Sequence, residues 1–198
     1  MKKVGILGGT FDPIHLAHIE LARTALREYN LAEVRFMTGG NPPHKREKQI
    51  TDARLRHDMV KLALSGEKKL IADDYEVNKA DYCYSAVTLG ELRKLHPDWE
   101  IYFIIGEDSL YDLPKWYKPQ EVCKNCILLV YPRGDGGDFA KLIEIRKSEF
   151  NADIRKITAP CIDVSSTLIR KRIREGEDIG GMVCDEVRAY IEEMGLYK

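Results

Sequence analysis

The 198-residue sequence has no strong excess of charge: 31 Lys and Arg stand against 32 Asp and Glu, a formal net charge of −1. A chain so balanced has no global field to hold it on nucleic acid or an anionic membrane, and any basic site must be local. Apolar runs are short, far below the ~18 residues of a membrane span, and "MKK" leads straight into a strand rather than a secretory signal. A soluble cytoplasmic protein is expected. Cysteine is scarce: the five, at 83, 123, 126, 161 and 184, are odd in number and follow no disulfide framework, which points to a reducing compartment. "CKNC" (Cys123, Cys126) has the spacing of half a zinc site, but no second pair follows at a suitable distance; two half-buried thiols at a helix-to-strand junction is the better expectation. Also missing are the Walker lysine motif, the G-x-G-x-x-G fingerprint and the ribose-binding acid after a second strand, so a P-loop NTPase or a dehydrogenase is disfavoured.

What is present is an alternation of strand and helix. Apolar runs at 2–7, 33–38, 69–77, 99–106 and 126–133, with a short sixth in "DIRKITA", read as strands. Helical spacing of apolar residues lies over 14–29, 52–65 (Leu55, Met59, Leu62 and Ala63 inward), 83–95, 139–148, 166–174 and 185–194. "WEIYFIIG" (99–106) is nearly continuous in apolar residues, as a central parallel strand covered on both faces should be. The pattern predicts one α/β domain over 1–198, a doubly wound Rossmann-like parallel sheet with right-handed crossovers. About 70% of the unfolded surface of a chain this size can be buried without metal or disulfide.

Ligands of such folds bind beyond the carboxyl ends of the strands, and "GGTFDPIHLAH" (8–18) lies at one of them. Asp12 and Pro13 look like the N-cap and first-turn residues of the following helix, which would set His15 and His18 on one face beside its positive end. Backbone N–H groups from Gly9 and Thr10 and two imidazoles then converge on an anion, for which a phosphate is the natural guest. A structural turn, or a zinc-binding His pair lacking its third ligand, is the alternative. Far along the chain, "VSSTLIRKRIR" (164–174) offers a second anion site: Ser165 as N-cap, with Ser166, Thr167 and Arg170 on one face. A basic nucleic-acid helix is the competing reading, weakened by the absence of a second basic stretch.

These residues carry a resemblance. "GTFDPIHLAH" resembles the G-x-F-D-P-x-H-x-G-H motif, and "VSSTLIR" the I-S-S-T-x-I-R motif, of the nucleotidyltransferase superfamily, whose sheet order is 3-2-1-4-5. "PPHK" (42–45), "IIGEDSLYDLPKWYK" (104–118), "YPRG" (131–134) and the ending "GLYK" extend the likeness over nearly the whole chain to the bacterial nicotinate-mononucleotide adenylyltransferases. Two departures stand out: Ala17 replaces the glycine between the histidines, and "CYSAVTL" (83–89) replaces S-Y-T-F-D-T-L, putting Ser85 for a threonine and Val87 for an aspartate.

The resemblance implies transfer of AMP from ATP to nicotinate mononucleotide, giving deamido-NAD and pyrophosphate, with Mg2+ accompanying ATP. It implies catalytic roles for Thr10, His15, His18 and Arg170. ATP would be bound by these with Gly8, Gly9, Phe11, Gly106, Asp108, Ser165, Ser166 and Thr167, and the acceptor by Asn41, His44, Lys45, Tyr84, Ser85, Trp116 and Arg133. Asp108 could otherwise be a helix cap, Trp116 a core residue, and His44 and Lys45 solvated loop charges. The implied partners are the two nucleotides, with neither nucleic acid nor membrane, and a homo-oligomer is compatible with the pattern. A nicotinamide mononucleotide or phosphopantetheine adenylyltransferase, a cytidylyltransferase, or a non-catalytic nucleotide sensor are the rival assignments.

Overall fold

A computed structural model describes residues 1–40, 50–79, 81–132, 138–158 and 162–198. Asn41, His44, Lys45, Arg133 and Cys161 lie outside the described residues. Six strands, β1 (Lys2–Gly9), β2 (Glu33–Thr38), β3 (Leu70–Asp73), β4 (Trp99–Gly106), β5 (Ile127–Tyr131) and β6 (Ile154–Lys156), form one sheet. Their order is β3-β2-β1-β4-β5-β6, the expected order extended by β6, and every pairing is parallel. The helices are α1 (Leu16–Tyr29), α2 (Ala53–Ala63), α3 (Ser85–Leu95), α4 (Glu107–Asp112), α5 (Pro119–Asn125), α6 (Phe139–Phe150), α7 (Ser166–Arg174) and α8 (Asp185–Glu193).

The period-two alternation of side chains in a strand divides the interior into two cores. In β4, Ile101, Phe103 and Ile105 face one of them, with Leu89 of α3, Val122 of α5 and Ile143 of α6. Tyr102 and Ile104 face the other, with Ile19 of α1, Met59 of α2, Ile169 of α7 and Val187 of α8. β4 is thus buried on both sides, as its composition predicts. Chain order reverses between β1 and β4, which lie side by side with Leu7 opposite Ile104. The crevice at that reversal is where doubly wound folds bind ligands.

Several local readings are corrected. Of the predicted α2 face, Met59 is buried and Leu62 and Ala63 pack partly buried against the core, but Leu55 does not join it; Arg56, Val60 and the following Leu64 are buried instead, so the helix is turned slightly and buries an arginine. β3 stops at Asp73, whose carboxylate accepts from the Tyr75 N–H at 2.9 Å and turns the chain, rather than running to residue 77. Cys123 and Cys126 are buried rather than half-buried, at the α5–β5 junction. Cys126 Sγ donates to the Val122 carbonyl at 3.2 Å, and burial raises both thiol pKa values, that of Cys123 to about 11. Among the described residues no group of three or more His, Cys, Asp or Glu could hold a metal ion.

Candidate active site

The turn after β1 does not start the helix where the sequence suggests. Asp12 and Pro13, joined by a cis peptide bond, precede the helix, and the N-cap of α1 is His15, with extended backbone (φ −146°). The physical reason is that both residues are engaged elsewhere. The Asp12 carbonyl accepts from Arg170 Nη1 at 2.6 Å, its carboxylate accepts from the Tyr197 hydroxyl at 2.8 Å, and the Pro13 carbonyl accepts from Ser166 Oγ at 2.8 Å. Buried at 7% exposure, Asp12 serves as a joint between α7 and the segment after α8.

The two histidines still act together. Their rings stack with centroids 3.7 Å apart, and the His15 N–H donates to His18 Nδ1 at 3.3 Å. With Nδ1 accepting, the neutral His18 ring carries its proton on Nε2, making that nitrogen a donor. Phe11, in left-handed backbone (φ 49°), turns the chain and is only 2% exposed. Its ring meets His18 edge-on at 5.1 Å and Phe36 at 5.7 Å, so it orients His18 from the core. Gly9 is required beside it, because a Cβ there would sit 2.7 Å from that ring.

A cavity of about 810 Å³ opens over the strand ends. Gly8, Gly9, Thr10 and His18 line it from β1 and α1, Gly106 from the end of β4 and Asp108 from the start of α4, together with Tyr84, Ser85 and Trp116. Three groups of predicted residues therefore meet in one space. His15 and Phe11 stand behind this wall. Ser165, Ser166, Thr167 and Arg170 do not line the cavity, but α7 is tied to the turn after β1 by the Ser166 and Arg170 bonds. Ser165 caps α7 as expected, its Oγ accepting from the Leu168 N–H at 3.2 Å. Arg170 Nη2 also reaches Thr167 Oγ1 at 3.4 Å. Trp116 is half-buried, edge-on to Phe103 at 6.3 Å, and Tyr84 packs on Tyr117 at 4.6 Å.

Three contributors have no clear signal in the sequence. Arg56, 1% exposed, donates to the carbonyls of Thr51 at 2.7 Å, Gly40 at 3.2 Å and Thr10, joining the turns after β1 and β2. Burial lowers its pKa, opposed by Asp12. Glu76 lines the cavity and accepts from Thr88 Oγ1 at 2.7 Å. Its carboxyl pKa is raised, chiefly by burial. Gly40 lies against its carbonyl, where a Cβ would come within 2.1 Å. Tyr197 is the third; only the unassigned ending "GLYK" hinted at it. A mid-helix arginine at the spacing of Met59 and Val60 was the one available clue to Arg56.

Comparison with known proteins agrees with this fold. The cytidylyltransferase-like family model matches residues 6–172. Curated relatives bearing the name "Probable nicotinate-nucleotide adenylyltransferase" are 41% identical in Clostridium novyi and 40% in Clostridium tetani, each over 200 residues covering 100% of both chains. Among solved structures, a Plasmodium falciparum nicotinic acid mononucleotide adenylyltransferase complexed with NaAD superimposes with a TM-score of 0.84 at 21% identity, covering 100% of this chain and 98% of its own. A putative nicotinate-nucleotide adenylyltransferase from Vibrio parahaemolyticus gives 0.71 at 21% identity, covering 100% of this chain and 96% of its own. The chain belongs to the cytidylyltransferase-like family and, within it, to the nicotinate-nucleotide adenylyltransferases.

Proposed function

We propose that this chain transfers the AMP part of ATP to nicotinate mononucleotide, forming deamido-NAD and releasing pyrophosphate, at the cavity between the ends of β1 and β4. The observation that carries the reading is the meeting of Thr10 and His18 with Gly106, Asp108, Tyr84, Ser85 and Trp116 around one cavity, with α7 fastened to the same turn through Arg170 and Asp12.

The attacking group is a phosphate monoester with a second pKa near 6, mostly dianionic at pH 7. It needs no general base, so the protein's task is positioning and charge stabilisation. His18 Nε2–H and the Thr10 hydroxyl hold the α-phosphate where negative charge builds, and His15 supports His18 by stacking. Ser166, Thr167 and Arg170, at the start of α7 where free N–H groups and a planar guanidinium coincide, hold the departing β- and γ-phosphates. Gly106 and Asp108 take the adenosine ribose. Trp116 stacks on the pyridine, and Tyr84 and Ser85 fix its carboxylate. Asn41, His44, Lys45 and Arg133 complete the acceptor side in this reading. Mg2+ accompanying ATP would supply neutralisation of the phosphate charge and would be held largely by the nucleotide's own phosphate oxygens, no group of three or more His, Cys, Asp or Glu among the described residues being placed to cage it. No described helix is long and apolar enough to cross a membrane, which suits an enzyme of soluble nucleotides working in the cytoplasm.

The test is pyrophosphate release from Mg-ATP with nicotinate mononucleotide, nicotinamide mononucleotide or phosphopantetheine as acceptor. A clear preference for the first is expected, with a loss of two or more orders of magnitude for His18→Ala, the scale of removing a transition-state donor. Equal rates with the nicotinamide form would overturn the acceptor assignment, and no release with any acceptor would indicate a nucleotide sensor.

A further inference from the structure

Tyr197 lies outside the cavity lining, yet it is joined to the turn that carries the phosphate-facing residues. α8 ends in a glycine turn: Gly195 is left-handed (φ 61°) and the Leu196 N–H donates to the Ile191 carbonyl at 3.0 Å, a helix stop that reverses the chain. This delivers Leu196 and Tyr197 onto the core shared by α1, α2 and α8, and the Tyr197 hydroxyl donates to Asp12 Oδ1 at 2.8 Å. Burial, and then the Asp12 charge, push the tyrosine pKa far up, so the hydroxyl stays a proton donor. Asp12 is itself buried, and its own carbonyl accepts Arg170 Nη1. On the other side Arg56 holds the carbonyl of Thr10, two residues before Asp12. A guanidinium has more donors than the Asp12 and Thr167 bonds use, so Arg170 can lean on Asp12 and still present N–H groups to a phosphate.

We propose that Tyr197 is a positioning residue for adenylyl transfer: by holding the Asp12 carboxylate it fixes the peptide carbonyl that aims Arg170, and so couples the segment after α8 to the departing pyrophosphate. The inference rests on the reading of Arg170 as a phosphate-holding group. The side chain touches no substrate. It acts on the placement of a group that binds more tightly as the transition state is reached, so its loss appears in kcat rather than in KM.

The experiment compares Tyr197→Phe in two backgrounds, with steady-state kinetics for ATP and the nucleotide acceptor and a thermal unfolding curve for each variant. In the otherwise unaltered chain kcat is expected to fall about tenfold, with both KM values within twofold. In an Arg170→Ala background the same substitution should cost less than twofold, because the group it aims is gone. Asp12→Asn, which retains an oxygen acceptor for the hydroxyl, should keep kcat within about threefold and provides a second reading if Tyr197→Phe unfolds at the assay temperature. An unchanged kcat in Tyr197→Phe, a full tenfold loss on top of Arg170→Ala, or an Asp12→Asn loss as large as that of Tyr197→Phe would each overturn the proposal. Failure of the parent reading shows separately, as an Arg170→Ala enzyme with undiminished turnover.

Discussion

Arg170 and Asp12 are 158 positions apart in sequence, and the guanidinium of one donates to the backbone carbonyl of the other at 2.6 Å. A side chain from α7 is thereby used to shape the turn after β1, and the turn in return fixes where that side chain lies. Arg170→Ala should therefore lower kcat about a hundredfold or more, the scale of a lost charge-stabilising donor. Arg170→Lys should recover little of this, because an ammonium cannot bridge a carbonyl and a phosphate with a planar fork of donors. Ser166→Ala, which removes one neutral hydrogen bond to the Pro13 carbonyl, should cost about threefold to tenfold. Steady-state pyrophosphate release across these three variants is the measurement, and an Arg170→Lys enzyme close to wild type would contradict the fork argument.

Arg56 gives a stability prediction. Its guanidinium satisfies carbonyls of Thr10, Gly40 and Thr51 from a position 1% exposed. Arg56→Met fills much of the same volume but leaves those acceptors without their donor. The expected loss is about 2–4 kcal/mol in urea unfolding, the range for breaking a buried polar network. A loss below about 0.5 kcal/mol, the ordinary size of a surface substitution, would mean that the carbonyls find other partners.

The parts of the fold set by hydrophobic period were legible in the sequence. β4 carries its burial in its composition, and the crevice follows from strand–helix alternation. Two local readings were legible as well: Ser165 does cap α7, and His15 and His18 do lie together. The start of α1 was not. Asp-Pro is a good local start signal, but here tertiary bonds from Arg170, Ser166 and Tyr197 occupy the groups a cap would use. Arg56 was missed for a related reason. Its charge argues for the surface, and only the carbonyl-rich gap between two strand ends, invisible in one sequence, makes burial favourable.

Glu76 sets a pH dependence. Burial raises its folded-state pKa above the unfolded value of about 4.3, so the folded state holds the proton more tightly. Its stabilising contribution is complete below the unfolded pKa and is lost as pH rises through the raised folded value. Glu76→Gln keeps an oxygen to accept from Thr88 Oγ1 and has no charge to bury. Its stability relative to the parent chain should therefore increase between pH 4 and pH 7, read as the difference in unfolding free energy at matched ionic strength. A difference that is flat, or that falls with pH, would show that Thr88 and Lys79, which favour the ionised form, outweigh burial.

Substitutions at Trp116 test acceptor binding apart from the chemistry. The indole follows the short 3-10 turn Leu113–Lys115 and is held edge-on by Phe103 at 6.3 Å, half-buried in the wall of the cavity that Thr10 and His18 also line. Stacking of a heteroaromatic ring on such a platform contributes roughly 1–3 kcal/mol. Trp116→Ala should accordingly raise KM for nicotinate mononucleotide by about fivefold to a hundredfold and leave KM for ATP within twofold. Trp116→Phe, which retains a ring face, should recover most of the affinity. If Trp116 is instead only packing for β4, the alanine variant will lose thermal stability and kcat together with no selective change in acceptor KM, and the phenylalanine variant will restore stability alone. The ratio of the two KM changes, rather than either rate, therefore decides whether this indole belongs to the acceptor site or to the core beneath it.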